Sequence, residues 1–180
     1  MKTALLHGSA LALAGTLLML ALFFAGFHES PEKLASAQNI QAGLGLAMAA
    51  TALALSMRGR RASALPADNW GYGAAFGAGA MTGTVATFLS AAAFYLYAAV
   101  LNPHFTEVTF QAQLAAAAQQ LPPSRLDSVE PTLRKLSSPG ILTSFQTLGG
   151  LIFSILLSAI VAIFFRHPLA EATCEPPRLP

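Results

Sequence analysis

The chain has 180 residues, of which 54% are hydrophobic and 10% are charged, and its mean hydropathy is +0.57. Soluble domains carry about 25% charged residues, so this composition excludes a soluble protein and indicates an integral membrane protein. The formal net charge of +2 is too small to predict a nucleic-acid partner. The single cysteine, Cys174, excludes an intramolecular disulfide and a metal cluster built from cysteines of this chain.

Four long apolar runs without a charged residue divide the chain. Each is long enough to cross a bilayer as an α-helix, which takes roughly 20 residues. The sequence therefore predicts an all-α fold, a four-transmembrane-helix bundle with a short helical extracytoplasmic loop between helices 3 and 4. The predicted transmembrane domain covers residues 1–167, with spans at about 5–26, 40–57, 72–101 and 141–165.

The first run has a competing interpretation as a cleaved signal peptide, because Lys2 precedes an apolar stretch. The run is longer than a usual signal core, and no small-x-small cleavage site lies just before His28. We therefore interpret the first run as a retained membrane anchor.

The positions of lysine and arginine predict the orientation, since these residues stay in the cytoplasm when they flank short loops. With the N-terminus inside, six basic residues are cytoplasmic and four are outside. Four of the six directly abut a span, namely Arg58, Arg60, Arg61 and Arg166. We predict a multi-pass protein of the cell inner membrane with both termini cytoplasmic. The tail at 168–180 is proline-rich and aperiodic, which predicts a disordered cytoplasmic segment.

The external loop at 102–140 carries helix signals. Apolar residues at helical spacing predict a short amphipathic helix that Pro122 and Pro123 end. Ser124 followed by Asp127 resembles a capping box that opens a second helical segment. The two segments are expected to lie over the bundle mouth or in the interface, and a docking surface for an external partner is the alternative.

Two stretches of the chain combine small residues with a proline at a helix boundary. They include Phe94-Tyr95-Leu96-Tyr97 and Asn102-Pro103-His104-Phe105 in residues 71–105, and then Ser138-Pro139, Gly149-Gly150 and a final run that closes on Arg166. Over roughly residues 38–168 the chain resembles a family of small bacterial four-helix inner-membrane proteins, of the Bacteroidetes type, known only as a domain of unknown function. The resemblance implies this topology and no catalytic residues.

Small residues at helical spacing predict where helices pack, because close approach matters most where lipid removes the hydrophobic drive. The third helix carries one groove and, on a different face, a GxxxG pair, and the fourth helix carries a ridge. The groove is Gly73, Gly77, Ala80, Thr84, Thr87 and Ala91, the pair is Gly79 and Gly83, and the ridge is Gly150, Ser154, Ser158 and Ala162. Packing within the bundle is the first interpretation, and self-association or a partner's helix is the alternative.

The spans hold no Asp, Glu, Lys or Arg, although ion-coupled transporters need such residues at mid-depth. Only Gln41, Gln146 and several serines and threonines are available to line a path. This pattern argues against ion coupling and leaves an uncharged pore or a lipid-binding groove open.

The histidines pair at opposite ends of the bundle, with His7 and His167 near the cytoplasm and His28 and His104 near the outer face. His7 and His28 are 21 residues apart, or about 31 Å along a helix, so a haem held by either pair would lie at the rim and be poorly enclosed. Interfacial histidine is the simpler interpretation. We expect no cofactor and no bound metal.

No nucleophile with an adjacent base is evident at membrane depth, since His7 and Ser9 point to different sides of a helix. We therefore predict no catalytic residues and a non-enzymatic membrane protein. Its expected role is that of an accessory, stabilising or assembly subunit of a larger membrane complex. The expected partners are membrane lipid and other membrane protein subunits or a second copy of the chain. The alternative is a passive carrier, pore or lipid-binding protein.

Overall fold

The computed structural model describes residues 1–65 and 70–166, and the predicted tail at 168–180 lies outside them. Within the described ranges the chain is helical and contains no strand. The π-helical turn Tyr97–Leu101 extends the third helix, and the 3₁₀ turn Ile163–Phe165 extends the last one. The α-helices are α1 (Lys2–Phe24), α2 (Pro31–Ala62), α3 (Tyr72–Leu96), α4 (His104–Ala118), α5 (Pro123–Leu136) and α6 (Pro139–Ala162).

Four of the helices are long and apolar enough to cross a membrane. They are Lys2–Phe24, Pro31–Ala62, Tyr72–Leu101 and Pro139–Phe165. At most 22% of the most apolar stretch of each helix is buried inside the protein, so most of its apolar surface faces outward. A lipid environment accommodates such surface, whereas water does not. The predicted all-α fold with four spans is confirmed, and the protein is a multi-pass membrane protein.

Helix α2 is longer than the apolar run from which it was predicted. It begins at Pro31, after an extended Ser30, and Glu32 lies in its first turn, where a negative charge suits the helix dipole. Its 32 residues extend about 48 Å, which exceeds the hydrocarbon thickness of a bilayer. Hydropathy identifies the part of a helix that suits lipid, so the polar first turns of α2 were not included in the predicted span.

Helix α3 lies at the centre of the bundle and contacts α1, α2 and α6. A Cβ placed at Gly8 of α1 would lie 2.8 Å from the Thr82 carbonyl oxygen of α3, so the two backbones approach closely there. On another side, the Thr82 hydroxyl donates to the Ala78 carbonyl (2.9 Å) and accepts a hydrogen bond from Ser56 of α2 (2.6 Å). Helices α2 and α6 contact each other over a much shorter stretch, which leaves space between them.

Each end of the bundle has its own apolar cluster. At the end that we call the Trp70 end, Trp70 is buried, and its indole N–H donates to the Phe165 carbonyl (2.8 Å). Lys2 and Arg60 lie beside Trp70, and Arg166 follows Phe165, so the basic residues that flank the spans meet at this end. At the opposite end, which we call the Tyr97 end, the buried apolar residues are Met19, Leu34, Tyr97, Ala98, Phe105 and Val108.

Helices α4 and α5 occupy the connection between α3 and α6. Helix α4 packs on α2 at the Tyr97 end, and Arg134 of α5 reaches back to Glu107 (3.3 Å) and lies over the Phe110 ring (4.3 Å to the centroid). The capping box expected from Ser124 and Asp127 does not form. Helix α5 begins two residues earlier than a Ser124 cap requires, at Pro123, and no side chain caps it, because Ser124 is already within the first turn.

Candidate functional site

The predicted GxxxG pair of α3 lies in the contact with α6. A Cβ at Gly79 would lie 2.9 Å from the Ser158 hydroxyl oxygen, and one at Gly83 would lie 2.8 Å from the Ser154 hydroxyl oxygen. Both distances are shorter than van der Waals contact, so a larger residue at either position would displace a neighbouring side chain. The Ser154 hydroxyl donates to the Leu151 carbonyl (3.0 Å), whereas the buried Ser158 hydroxyl has no partner among the described residues.

Gly150 of α6 continues the same contact toward the Tyr97 end. A Cβ there would lie 3.0 Å from the Thr87 methyl carbon of α3. From Gly79 to Thr87 the contact runs about 12 Å along α3, or more than two helical turns. The structure therefore brings together the predicted pair on α3 and the predicted ridge on α6.

The other predicted set on α3, the groove, is not brought against a neighbouring helix at its start. No heavy atom lies within 4 Å of a Cβ placed at Gly73 or Gly77. Ala80 and Thr84 are half-buried, and the Thr84 hydroxyl donates to the Ala80 carbonyl (2.8 Å). The Gly73 and Gly77 part of this face is open to the surroundings.

A cavity of about 550 Å³ lies inside the bundle at the Tyr97 end, between α1, α2, α3 and α6. A second cavity of about 480 Å³ adjoins it toward the Trp70 end, and the two share wall residues that include Gly15, Gln41, Gly45 and Gln146. Ala42 of α2 and Gln146 of α6 line both and are exposed, so the combined space opens between these two helices. We refer to it as the α2–α6 cavity.

The wall of the α2–α6 cavity is apolar with a few uncharged polar groups. None of its described lining residues is Asp, Glu, Lys or Arg. The amides of Gln38, Gln41 and Gln146 and the Ser90 hydroxyl line it without a hydrogen-bond partner in the described part of the chain. These amides are half-buried or exposed, so they are free to hydrogen-bond to a molecule that enters the cavity.

A buried hydrogen-bonded chain closes the cavity at the Tyr97 end. The Asn102 side-chain amide donates to the Tyr97 hydroxyl oxygen (2.8 Å), and the Tyr97 hydroxyl is hydrogen-bonded to Nδ1 of His28. Because the phenol has a single proton, each group finds a partner when Tyr97 donates to an unprotonated Nδ1. In this arrangement the imidazole is neutral and its proton lies on Nε2.

The π-helical turn sets the positions of two members of this chain. Its backbone bond runs from the Asn102 N–H to the Tyr97 carbonyl (2.7 Å), five residues back, and Asn102 then leaves the helix before Pro103. This wider turn places the Asn102 amide at the hydroxyl of Tyr97. π-Helical turns are rare and occur frequently at functional sites.

Aromatic rings surround the same residues. His28 lies edge-on to Tyr97 (5.6 Å between centroids) and to Phe105 (5.3 Å), and Phe94 lies edge-on to Phe105 (5.8 Å). These separations are typical of favourable aromatic pairs. All four rings line the cavity, which gives its closed end an aromatic wall.

Burial also sets the charge of His28, which lies in the connection between α1 and α2. Desolvation lowers the pKa of its imidazole from 6.5, because the charged form loses its hydration. Burial therefore favours the neutral imidazole, whose Nδ1 can accept the hydrogen bond from Tyr97.

The predicted histidine pairs have different surroundings in the structure. His28 is buried against Tyr97, whereas His104 is exposed at the start of α4. At the Trp70 end His7 bonds to the Thr3 carbonyl through Nδ1 (2.8 Å), and His167 lies outside the described residues. Among the residues that the structure describes, no three His, Cys, Asp or Glu side chains are grouped as metal ligands would be.

Sequence reasoning singled out Gln41 and Gln146 but missed the His28, Tyr97 and Asn102 chain. His28 and Tyr97 are 69 residues apart, and each reads alone as an interfacial residue. One available signal was Asn102 directly before Pro103, where a polar side chain ends an apolar run. Only the packing of the α1–α2 connection against the end of α3 brings these residues together.

The family model described as "Protein of unknown function (DUF4199)" matches residues 6–167. The chain belongs to this family. The match begins in α1, so it covers the first span as well as the part from residue 38 on which the sequence resemblance rested. It also contains every described residue of the α2–α6 cavity. No curated protein and no solved structure matches the chain.

Proposed function

We propose that this DUF4199 protein binds an uncharged, lipid-like amphiphile in the α2–α6 cavity, without catalysing a reaction. The observation that carries the proposal is an uncharged cavity, open between two membrane-spanning helices, whose amides have no partner in the described chain. This is the carrier or lipid-binding alternative of the sequence analysis. The part of the cavity at the Tyr97 end alone has a volume of about 550 Å³, which is within the range of sites for small molecules, roughly 300–1,000 Å³.

The depth of the polar groups supports a ligand that comes from the bilayer. Gln146 lies seven residues into α6, or about 10 Å along its axis from Pro139. An opening at that depth faces acyl chains, so an apolar tail can enter sideways while a polar head reaches the amides. A charged head is disfavoured, because the described wall has no side chain of opposite charge to compensate its burial.

Filling the cavity tests the proposal directly. Gly45 lines both parts of the cavity, and no heavy atom lies within 4 Å of a Cβ placed there, so Gly45→Phe adds a ring without a backbone clash. Gly43→Phe is the matched control, because Gly43 is on the same helix, is equally unobstructed and does not line the cavity. We expect lipid extracts of the purified wild type and Gly43→Phe to contain a bound amphiphile that Gly45→Phe lacks. Equal lipid content in all three proteins would refute the proposal.

The second candidate is the accessory or assembly role expected from the sequence. The observation that favours it is the open face at Gly73 and Gly77, where a helix of another subunit or of a second copy finds no obstruction. Gly77→Ile should release a co-purifying subunit while thermal stability is unchanged. Gly149→Ile is the control, since that position on α6 is also open and exposed. Identical migration of both variants and wild type in mild detergent would count against this role.

We also propose that the Trp70 end faces the cytoplasm of a bacterial inner membrane, which places α4 and α5 outside. Arg58, Arg60, Arg61 and Arg166 flank spans at that end, and flanking basic residues favour the cytoplasmic side. Both termini would then be cytoplasmic. A fluorescent or phosphatase reporter fused to the C-terminus checks the orientation, and an external signal would reverse it.

A further inference from the structure

The closed end of the α2–α6 cavity presents a hydrogen-bond donor. His28 is 4% exposed and lines the cavity, and its Nδ1 is occupied by Tyr97. Its Nε2 has no partner among the described residues, and it is not one of the fully buried unpartnered atoms, so it keeps some accessible surface. With Tyr97 donating to Nδ1, the neutral ring carries its proton on Nε2, and this atom offers an N–H to a molecule in the cavity.

A second group of donors lies away from His28, at the junction between the two parts of the cavity. Gln41 of α2 and Gln146 of α6 line both parts of the cavity, so they lie where the two parts join, as does the Ser90 hydroxyl of α3. His28 lines only the part at the Tyr97 end. The aromatic wall of Phe94, Tyr97 and Phe105 also lines the part at the Tyr97 end, which lies between His28 and the donors at the junction.

We propose that the amphiphile is a membrane quinone, an inference that rests on the binding role proposed above. A quinone has a flat ring with carbonyl acceptors at opposite edges and an apolar tail. One carbonyl accepts from His28 Nε2, the other accepts from the amide of Gln41 or Gln146, and the ring lies against the aromatic wall. The tail leaves between α2 and α6 into the bilayer. A phospholipid fits less well, because no described lining residue carries the positive charge that would pair with a phosphate.

Binding of menaquinone-4 to the full chain in lipid nanodiscs tests the inference. The matched ligand is the 1,4-dimethoxynaphthalene with the same tail, which replaces both carbonyls by weaker ether acceptors. We expect menaquinone-4 to bind about tenfold more tightly than this analogue. Gln146→Leu should weaken quinone binding about 3- to 10-fold, the effect of one lost neutral hydrogen bond. Gln111→Leu, at an exposed position of α4 outside the cavity, should have no effect.

His28→Phe provides a second measurement, because it keeps a ring of similar shape and removes the Nε2 donor. If His28→Phe lowers the melting temperature, the affinity of Gln146→Leu for menaquinone-4 decides the question, since the Gln146 side chain makes no bond in the described chain. Equal affinity for menaquinone-4 and its dimethoxy analogue, with no effect of Gln146→Leu, would overturn the quinone inference. If dioleoylglycerol then binds to wild type and not to Gly45→Phe, the broader binding role stands. If none of the three ligands binds, both proposals fail.

Discussion

Gly83→Ala adds one methyl group at the closest contact between α3 and α6. The added Cβ would lie 2.8 Å from the Ser154 hydroxyl oxygen and still closer to the Ser154 Cβ. The next atom is the Ser154 Cα at 3.5 Å, an ordinary contact distance, so the closest obstruction comes from one side chain. Over-packing of this kind costs about 1–3 kcal/mol.

The matched control is Gly77→Ala on the same helix, where a Cβ meets no atom within 4 Å. Both substitutions gain up to about 1 kcal/mol of helix propensity, so this contribution cancels in the comparison. We therefore expect Gly83→Ala to be less stable than Gly77→Ala by about 1–3 kcal/mol. Unfolding in mixed detergent micelles can be followed by the fluorescence of Trp70, the only tryptophan of the chain.

The double variant Gly83→Ala with Ser154→Gly makes the prediction specific to this contact. Removing the Ser154 side chain leaves its Cα at 3.5 Å as the nearest atom of that residue, an ordinary contact distance. The double variant should therefore be more stable than the sum of the two single effects predicts, by about 0.5–3 kcal/mol. If Gly83→Ala is as stable as Gly77→Ala, or if the two changes are additive, α3 and α6 do not pack through Gly83 and Ser154.

Three further predictions concern the two ends of the bundle. Tyr97→Phe leaves the Asn102 amide and His28 Nδ1 without a partner, so the free energy of unfolding should fall by about 1–3 kcal/mol. An unchanged free energy of unfolding would contradict the hydrogen-bonded chain. Because burial lowers the pKa of His28 below its unfolded value of 6.5, stability should be independent of this group above pH 6.5 and should decrease as the pH falls below it. Unfolding curves of wild type and His28→Phe between pH 5 and about 8 check this, and equal slopes would refute it. Trp70→Phe removes the bond to the Phe165 carbonyl and should cost about 0.5–1.5 kcal/mol, measured by circular dichroism during unfolding.

The four spans could be predicted because hydropathy is a local property of the chain. Charge-free apolar runs of roughly 20 residues are typical of membrane-spanning helices, so the number and order of the spans could be predicted from these runs. The start of α2 could not be found in this way. The polar turns from Pro31 onward continue the helix beyond the apolar run, and Ser30, Pro31 and Glu32 mark its beginning instead of hydropathy. The helices in the connection between α3 and α6 were expected from their periodicity, whereas their packing on α2 requires tertiary contacts.

The choice between two small-residue faces on α3 shows why packing needs more than spacing. Gly77 and Gly79 are two residues apart, which places them about 200° apart around the helix, on nearly opposite faces. Both faces satisfy the same motif, so the sequence cannot say which one meets α6. The structure places Gly79 and Gly83 in the contact and leaves Gly77 open, because the direction of approach depends on where α1 and α2 already lie.

The cavity follows from the same small residues that allow the helices to pack. At Gly83 the absence of a side chain allows α6 to approach α3 closely. Gly15 of α1 and Gly45 of α2 have no such neighbour, and the missing volume stays as space between α2 and α6. Leucine at both positions would fill that space by apolar contact, and the amides of Gln41 and Gln146 would then be buried without partners. Glycine at these positions and glutamine beside them therefore agree with the proposed ligand, which would fill the space and hydrogen-bond to the amides.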